Sequence, residues 1–162
     1  MPPSSTGSGA TTGPTRTDAG WADWAQGCSN FIVWVTNADK QRFLVIRGQK
    51  EQLGLSKAGD SATIQLENST KAADLQVDVY PRAGGDKRYC TDVFDDQMPE
   101  KSATWKAVSG SITFTITSMA DQDTIYLVTV SLANVIVESP NGTKESIPDK
   151  TFSDVRVGAV PG

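Results

Sequence analysis

The acidic stretch from Asp92 to Glu100 contains the side chains best suited to metal binding. Four carboxylates fall within nine residues, those of Asp92, Asp95, Asp96 and Glu100. Carboxylate oxygens are the hard ligands that Ca²⁺ uses, although the spacing differs from that of an EF-hand loop. Solvated acids in a polar turn are the alternative interpretation. The sequence therefore raises the hypothesis of a calcium site in this stretch, and calcium is the one candidate cofactor.

Catalysis has few residue types to draw on, because the chain contains no histidine. Ser-His-Asp and Cys-His arrangements and histidine-bearing metal sites are therefore excluded. The chain also lacks a Ser-x-x-Lys motif, a Gly-rich phosphate loop and a Gly-x-Ser-x-Gly elbow. A glycosidase-like pair of carboxylates remains open. We predict that the protein is not an enzyme, and we keep a carboxylate-based hydrolase as an alternative.

Cys28 and Cys90 are the only two cysteines, and we predict that they form a disulfide. The alternative is two buried reduced thiols that pack as small apolar side chains. A bridge across about sixty residues would raise the free energy of the unfolded chain by about 4 kcal/mol on the chain-entropy model. Because disulfides persist in oxidising compartments, the pair favours an exported protein. Two cysteines without histidine would supply only half of a zinc shell.

The elements that must position these residues are strands, because apolar side chains recur with a period of two from Phe31 onward. The clearest alternating or continuous apolar runs are residues 31–35, 43–46, 62–67, 75–79, 112–117, 125–137 and 155–157. Pro and Gly residues separate the runs, and Asn141-Gly142 predicts a type I′ hairpin turn. About eight short strands at this spacing predict an all-β, two-sheet antiparallel β-sandwich.

Helix is predicted at two short places only, near Lys50–Leu55 and near Trp21–Ala25. A helical turn at the second place would put Trp21 and Trp24 on one side, because they are three residues apart. The two indoles then form a candidate ligand-binding surface on which a sugar ring could stack. The alternative is that both rings pack the turn onto the folded domain.

The chain divides into a Ser/Thr/Gly/Pro-rich segment, residues 1–20, and one domain, residues 21–162. The first segment has too little apolar surface to offset its ordering entropy, so we predict a flexible tether without the features of a signal peptide. Fifteen Lys and Arg are scattered among nineteen Asp and Glu, which gives no electrostatic footprint for nucleic acid. No segment predicts membrane insertion of the folded domain.

Several short motifs carry a family resemblance. They are Cys28-Ser29-Asn30-Phe31, Asn37-Ala38-Asp39, Tyr89-Cys90-Thr91-Asp92-Val93 and Trp105-Lys106-Ala107-Val108-Ser109-Gly110. The pattern resembles uncharacterised exported, often lipid-anchored, β-sandwich proteins of Gram-negative bacteria, over most of residues 28–160. The resemblance implies a periplasmic or cell-surface location, with a lipid anchor in the precursor, and it supports the disulfide. It implies no activity, cofactor or partner.

These observations together predict a non-catalytic, exported binding module that recognises a protein or a glycan through loops at one end of a rigid scaffold. A structural subunit of a surface layer or filament is the second hypothesis. Such a subunit would form homo-oligomers through its edge strands or its tether.

Overall fold

A computed structural model describes residues 15–16, 20–28, 31–68, 72–90, 98–120 and 125–158. Strands dominate this part of the chain, which confirms the prediction of an all-β protein. One short α-helix and two single turns of 3-10 helix, at Leu66–Asn68 and Gly85–Arg88, complete its regular structure. The elements in chain order are β1 (Thr15–Arg16), β2 (Gln26–Cys28), β3 (Ile32–Thr36), β4 (Arg42–Gly48), α1 (Lys50–Leu53), β5 (Ser61–Gln65), β6 (Ala73–Val79), β7 (Ala103–Ala120), β8 (Ile125–Glu138), β9 (Lys144–Ser146) and β10 (Lys150–Gly158).

The ten described strands form one hydrogen-bonded sheet in the order β1-β9-β8-β7-β6-β4-β3-β2. Two further strands pair alongside this path, β10 with β8 and β5 with β7. Strand β1 runs parallel to β9, and every other pair in this sheet is antiparallel. The predicted tether therefore contains a two-residue strand, Thr15–Arg16, while residues 1–14 and 17–19 lie outside the described residues.

The two longest strands, β7 and β8, connect two groups of strands. In β7, residues 103–106 pair with β6, whereas residues 111–115 pair with β5. In β8, residues 136–138 pair with β9, whereas residues 125–132 pair with β10. We call the group of β1, β2, β3, β4, β6 and β9 the first arm, and the group of β5 and β10 the second arm. The β7–β8 hairpin belongs to both arms.

The junction between the arms depends on an irregular point in the β7–β8 hairpin. The strand register shifts between Ala107 and Ser111, and Gly110 has a φ of +104°. A Cβ atom on Gly110 would lie 2.5 Å from the Cα atom of Val135. Glycine fits both the left-handed backbone and the close approach. Such bulges bend strands, which allows one long hairpin to serve two arms.

The largest cluster of buried apolar side chains, which we call the inner core, draws on both arms. Apolar residues at every second strand position form this core, because successive side chains on a strand point to opposite faces of the sheet. Its fully buried members include Phe31 just before β3, Val33, Val35, Leu44, Ile46 and Val77 from the first arm, and Ile112, Phe114, Ile116, Val128, Val130, Val135, Val137, Phe152 and Val157 from β7, β8 and β10.

Two contacts bring distant strands together around the inner core. A Cβ atom on Gly27 of β2 would lie 2.6 Å from Val157 of β10, so only glycine permits this approach. On β4, the Arg42 guanidinium donates to the Glu145 carboxylate of β9 at 2.8 Å. The guanidinium lies over the rings of Trp21 and Trp105.

Two local expectations from the sequence are wrong. The β8–β9 connection contains a Ser139-Pro140-Asn141-Gly142 turn, in which the Gly142 N–H donates to the Ser139 carbonyl at 3.0 Å. Only Gly142 has a positive φ there. A type I′ turn needs positive φ at both central residues, whereas proline at the first central position fixes a negative φ and suits a type I turn.

The second wrong expectation is the helical turn near Trp21–Ala25, because no helical turn forms in that stretch. The Ala22 N–H instead donates to the Thr36 carbonyl at 3.0 Å, so the segment follows the end of β3. The helix near Lys50 is confirmed as α1. Among the described residues, no helix has the length and apolar character needed to span a bilayer.

Candidate functional site

The first arm is apolar on both faces, and its second face carries a separate cluster that we call the outer core. Trp34, Phe43, Val45 and Tyr80 are buried there. Their neighbours on the same strands, such as Val33 and Leu44, point into the inner core. This explains why residues 31–35 and 43–46 are continuous apolar runs, since both faces of β3 and β4 are covered.

A segment between β6 and β7 covers the outer core. We call its described residues, 81–90 and 98–102, the cover. At the start of the 3-10 turn, a Cβ atom on Gly85 would lie 2.6 Å from the ring of Tyr80, so the backbone packs directly on that ring. The Arg88 side chain holds the two described parts of the cover together. It donates to the Pro99 carbonyl at 2.7 Å and to the Glu100 carboxylate at 3.0 Å.

The predicted disulfide between Cys28 and Cys90 is confirmed, and it ties the cover to the edge strand β2. The two Cα atoms are 5.6 Å apart across a sequence separation of 62 residues. Cys28 is the last residue of β2, and Cys90 has a φ of +60°, which is unusual for a residue with a side chain. The bridge therefore closes the cover over the outer core from one side.

A buried carboxylate closes the cover from the other side. Asp78 points to the outer face of β6, and its side chain is 2% exposed. The hydroxyl of Tyr89 donates to one carboxylate oxygen at 2.6 Å, and the amide of Gln76 donates to the other at 2.7 Å. Lys101 Nζ lies 3.4 Å from Asp78, which partly offsets the negative charge. A buried carboxylate needs such partners, since an isolated charge in the interior is very costly.

The hydroxyl of Tyr89 is held in its protonated form. Burial raises the pKa of Tyr89 far above its usual range, and the hydrogen bond to Asp78 raises it further. The pKa of Tyr80 is also raised, mainly by burial, and its hydroxyl lies 2.9 Å from that of Tyr89. Tyr89 therefore donates its hydroxyl proton to Asp78, and the Tyr80 hydroxyl bonds to that of Tyr89. This arrangement anchors the cover to β6.

An aromatic surface lies where the cover meets β2 and β3, and we call Trp24, Trp34 and Tyr89 the aromatic corner. The ring of Trp34 stacks on Tyr89 with centroids 5.6 Å apart, and the rings of Trp24 and Trp34 form a T-shaped pair with centroids 6.5 Å apart. Trp24 is 52% exposed, whereas Trp34 is 5% exposed. The indole N–H of Trp34 is buried and has no hydrogen-bond partner among the described residues. A buried donor without an acceptor is uncommon in proteins.

The predicted pairing of Trp21 with Trp24 on one surface is wrong. Trp21 is 6% exposed and belongs to the inner core, next to Arg42. Because the backbone is not helical there, the spacing of three residues places the rings on different sides. Only Trp24 of the predicted pair remains available to a ligand.

The predicted calcium site lies mostly outside the described residues, which include neither Asp92, Asp95 nor Asp96. Glu100 is described, and its carboxylate accepts a hydrogen bond from Arg88. Within the described parts of the chain, no group of three His, Cys, Asp or Glu side chains could hold a metal ion. The calcium site stays a prediction.

The same face of the first arm carries a shallow groove of about 670 Å³ beside the β8–β9 turn. Lys106 of β7 and Glu138 of β8 lie directly opposite each other in its lining. Thr104 and Asn141 contribute further polar groups. A groove of this size can accommodate a ligand, although its open shape buries less of a ligand than a deep pocket does.

The sequence interpretation missed the Asp78–Tyr89 network and the outer core. In the alternating segment Leu75-Gln76-Val77-Asp78-Val79, the polar positions look solvent-facing. The available signal was that the neighbouring strands β3 and β4 are apolar on both faces, which requires a cover.

The chain matches no protein-family model, no curated protein and no solved structure.

Proposed function

We propose that the protein is a non-catalytic, exported binding module that recognises a glycan at the aromatic corner. The observation that carries the proposal is Trp24, which is 52% exposed and packs nearly perpendicular to the buried ring of Trp34. An indole held by a rigid neighbour can present its face to a sugar ring without losing much side-chain entropy on binding.

The size of the exposed surface favours a glycan over a protein partner. Trp24 is the one large apolar side chain that is well exposed among the described residues. Its neighbours Asp23 and Gln26 are polar and exposed. A stable protein interface usually buries about 800 Å² on each partner around an apolar centre. One indole with polar neighbours suits the smaller apolar face of a sugar, and the neighbours can bond to sugar hydroxyls.

The proposal that the protein is not an enzyme is supported by the surroundings of the buried Asp78 carboxylate. Asp78 accepts hydrogen bonds from Tyr89 and Gln76 and lies beneath the cover. A general base needs access to the proton that it removes. The chain also has no histidine to replace it.

The proposed location is the periplasm or the bacterial cell surface, in a protein related to exported lipoproteins. The Cys28–Cys90 disulfide supports this location, since such bridges persist in oxidising compartments. We also propose that the two arms are best classified as a β-sandwich. The inner core, to which both arms contribute, supports this classification.

A glycan array probed with the labelled oxidised protein tests the proposed function. For a glycan that binds, Trp24→Ala should weaken the affinity about tenfold or more, because an aromatic anchor is lost. Thermal unfolding of this variant should match the parent, since the ring is half exposed. Lys106→Ala, which alters the groove, is the matched control and should bind normally. Failure to bind any glycan, or unchanged binding by Trp24→Ala, would reject the proposal.

A structural subunit is the second candidate, and the pairing of β1 with β9 favours it. Thr15–Arg16 adds to the edge strand Lys144–Ser146 in parallel register. The same edge could accept an extended segment from another copy. Light scattering over a range of concentrations should then show an assembly whose mass falls when residues 1–19 are removed. A constant monomer mass for both proteins would exclude this candidate.

A further inference from the structure

We propose that the sulfur of Cys90 is a site of thiol–disulfide exchange, and that reduction there disassembles the aromatic corner. The inference about ligand release depends on the proposed glycan function, whereas the exchange site does not. The partner is a dithiol reductant, which supplies the two electrons that the reduction needs.

The two cysteine residues of the disulfide differ in their exposure to solvent. Cys28 lies at the end of β2 and is 8% exposed. Cys90 is half-buried, and it belongs to the cover rather than to the sheet. Exchange requires a thiolate to approach a sulfur in line with the bond that breaks, so access decides which sulfur is attacked. An incoming thiolate therefore reaches Cys90 first.

The backbone around Cys90 also favours release once the bond is broken. Cys90 has a φ of +60°, in the left-handed region where a side chain crowds the following carbonyl. The disulfide holds this conformation from one side and the Tyr89 hydrogen bond holds it from the other. After reduction, Cys90 can return to an extended conformation, which moves the end of the cover away from β2.

Contacts made by residues near Cys90 and near Cys28 carry this movement to the ligand surface. Tyr89 precedes Cys90 and stacks on Trp34, and Trp34 supports the exposed Trp24. Cys28 lies two residues after Gln26, which pairs directly with Trp34. The disulfide therefore connects the two segments that frame the aromatic corner, which are β2 and the cover. If Tyr89 moves, Trp34 loses its stacking partner. Trp24 then packs against a ring that is no longer held in place.

A thiolate of the dithiol partner attacks the Cys90 sulfur, a new S–S bond forms to Cys90, and Cys28 leaves as a thiolate that takes up a proton. The second thiolate of the partner then attacks the partner's first sulfur, which is the one bonded to Cys90 in the mixed disulfide. Cys90 leaves as a thiolate and is protonated, and the partner becomes a disulfide.

The first experiment identifies the attacked sulfur and needs no glycan. The folded oxidised protein is treated briefly with glutathione, free thiols are blocked with an alkylating reagent, and peptides are mapped by mass spectrometry. We expect glutathione on Cys90 and the alkyl group on Cys28, with about a tenfold excess over the opposite pattern. Equal labelling, a preference for Cys28, or no reaction until the protein is denatured would overturn the assignment.

The second experiment measures the aromatic corner after full reduction by dithiothreitol. Far-ultraviolet circular dichroism should show the sheet intact, while acrylamide quenching of tryptophan fluorescence should increase. The increase should be absent in Trp34→Phe, a conservative variant that removes the buried reporter. Quenching that does not change, or loss of the sheet signal at the same time, would contradict local release of the cover.

The third experiment uses a glycan that the oxidised protein binds. Reduction should weaken its affinity about tenfold, because the preorganised surface is lost. Unchanged affinity, with labelling and quenching as expected, would overturn the regulation while the glycan function stands. If no glycan binds the oxidised protein, the proposed function fails, and the first two experiments still decide the exchange site.

Discussion

The inner core and the outer core lie on opposite faces of the same strands, yet they are held in different ways. The inner core draws fully buried side chains from both arms and from the long β7–β8 hairpin. The outer core has four buried residues beneath a cover that is held by one disulfide and by hydrogen bonds to Asp78 and within the cover. We therefore expect the two cores to differ in local stability although their side chains are equally buried.

The difference follows from what must move to expose each core. Exposure of the inner core requires the arms to separate, which breaks ladder hydrogen bonds throughout the sheet. Exposure of the outer core requires only that the cover lifts from β3 and β4. Proteins open locally wherever few buried contacts must be broken, at a lower free energy than global unfolding. We therefore expect the cover to open before the sheet does.

The largest expected effect is in the inner core. Phe114→Ala should lower the free energy of unfolding by about 4 kcal/mol, because it removes a fully buried ring and leaves a cavity. Phe43→Ala is the matched variant in the outer core, and Phe43 is equally buried. Its cost should be smaller, since the cover can settle into the space. Denaturant unfolding of both variants measures the difference, and a larger loss for Phe43→Ala would reverse the comparison.

Removal of the disulfide should have the next largest effect. The Cys28→Ser, Cys90→Ser double variant should be less stable by about 3 kcal/mol. A loop of this length predicts about 4 kcal/mol from chain entropy, and relief of the left-handed Cys90 backbone returns part of that. Denaturant unfolding by far-ultraviolet circular dichroism checks the value. No loss of stability would show that the cover does not depend on the bridge.

The hydrogen bond from Tyr89 to Asp78 is expected to contribute less than the disulfide. Tyr89→Phe should lower the free energy of unfolding by about 2 kcal/mol, because a buried carboxylate loses its closest donor. Tyr80→Phe removes only a bond between two hydroxyls and should cost about 1 kcal/mol. Near-ultraviolet circular dichroism should report the change around the rings. Equal losses of unfolding free energy in Tyr89→Phe and Tyr80→Phe would argue that Asp78 is not a charged acceptor for Tyr89.

A smaller effect is expected as the pH rises just above 10. The pKa of Tyr89 is raised in the folded state above its ordinary value of 10.0. The folded protein therefore keeps a proton that the unfolded chain releases, and stability falls as the pH passes 10. Tyr89→Phe should show a weaker fall over the same range. A profile identical to that of the parent would indicate that Tyr89 does not cause the loss.

The smallest effect is expected on the surface of the second arm. Thr63 and Thr113 lie opposite each other across β5 and β7, and their hydroxyls are 2.8 Å apart. Thr113→Ala should change the free energy of unfolding by about 0.5 kcal/mol or less, because water can replace this exposed partner. Thermal unfolding checks the value. A loss as large as that of Tyr89→Phe would show that this face contributes more than its exposure implies.

The strands were predictable because alternation reports directly which side chains are buried. The segment from Ile112 to Thr117 alternates regularly, and it lies in β7 with its apolar side in the inner core. The cysteine pair was also predictable, since two cysteines allow a single bridge. Neither inference needs knowledge of which strands are neighbours.

The candidate site was less predictable, because it depends on contacts between distant segments. Asp78 and Tyr89 come together only when the cover folds back over β6, and no local pattern reports that. Trp24 was identified as a candidate ligand-binding residue, but the prediction that Trp21 shares its surface was wrong. Spacing predicts a shared side only when the backbone conformation is known, and the Ala22 hydrogen bond to Thr36 fixes a different one.

Hydrogen exchange measured by mass spectrometry, with and without reductant, tests most directly the claim that the disulfide holds the outer core separately from the inner core. On reduction, we predict that peptides covering residues 80–90 and β2 lose protection by a large factor, while the β7–β8 hairpin keeps its protection. An equal loss of protection in both regions would contradict the account, because it would mean that the two cores open as one unit.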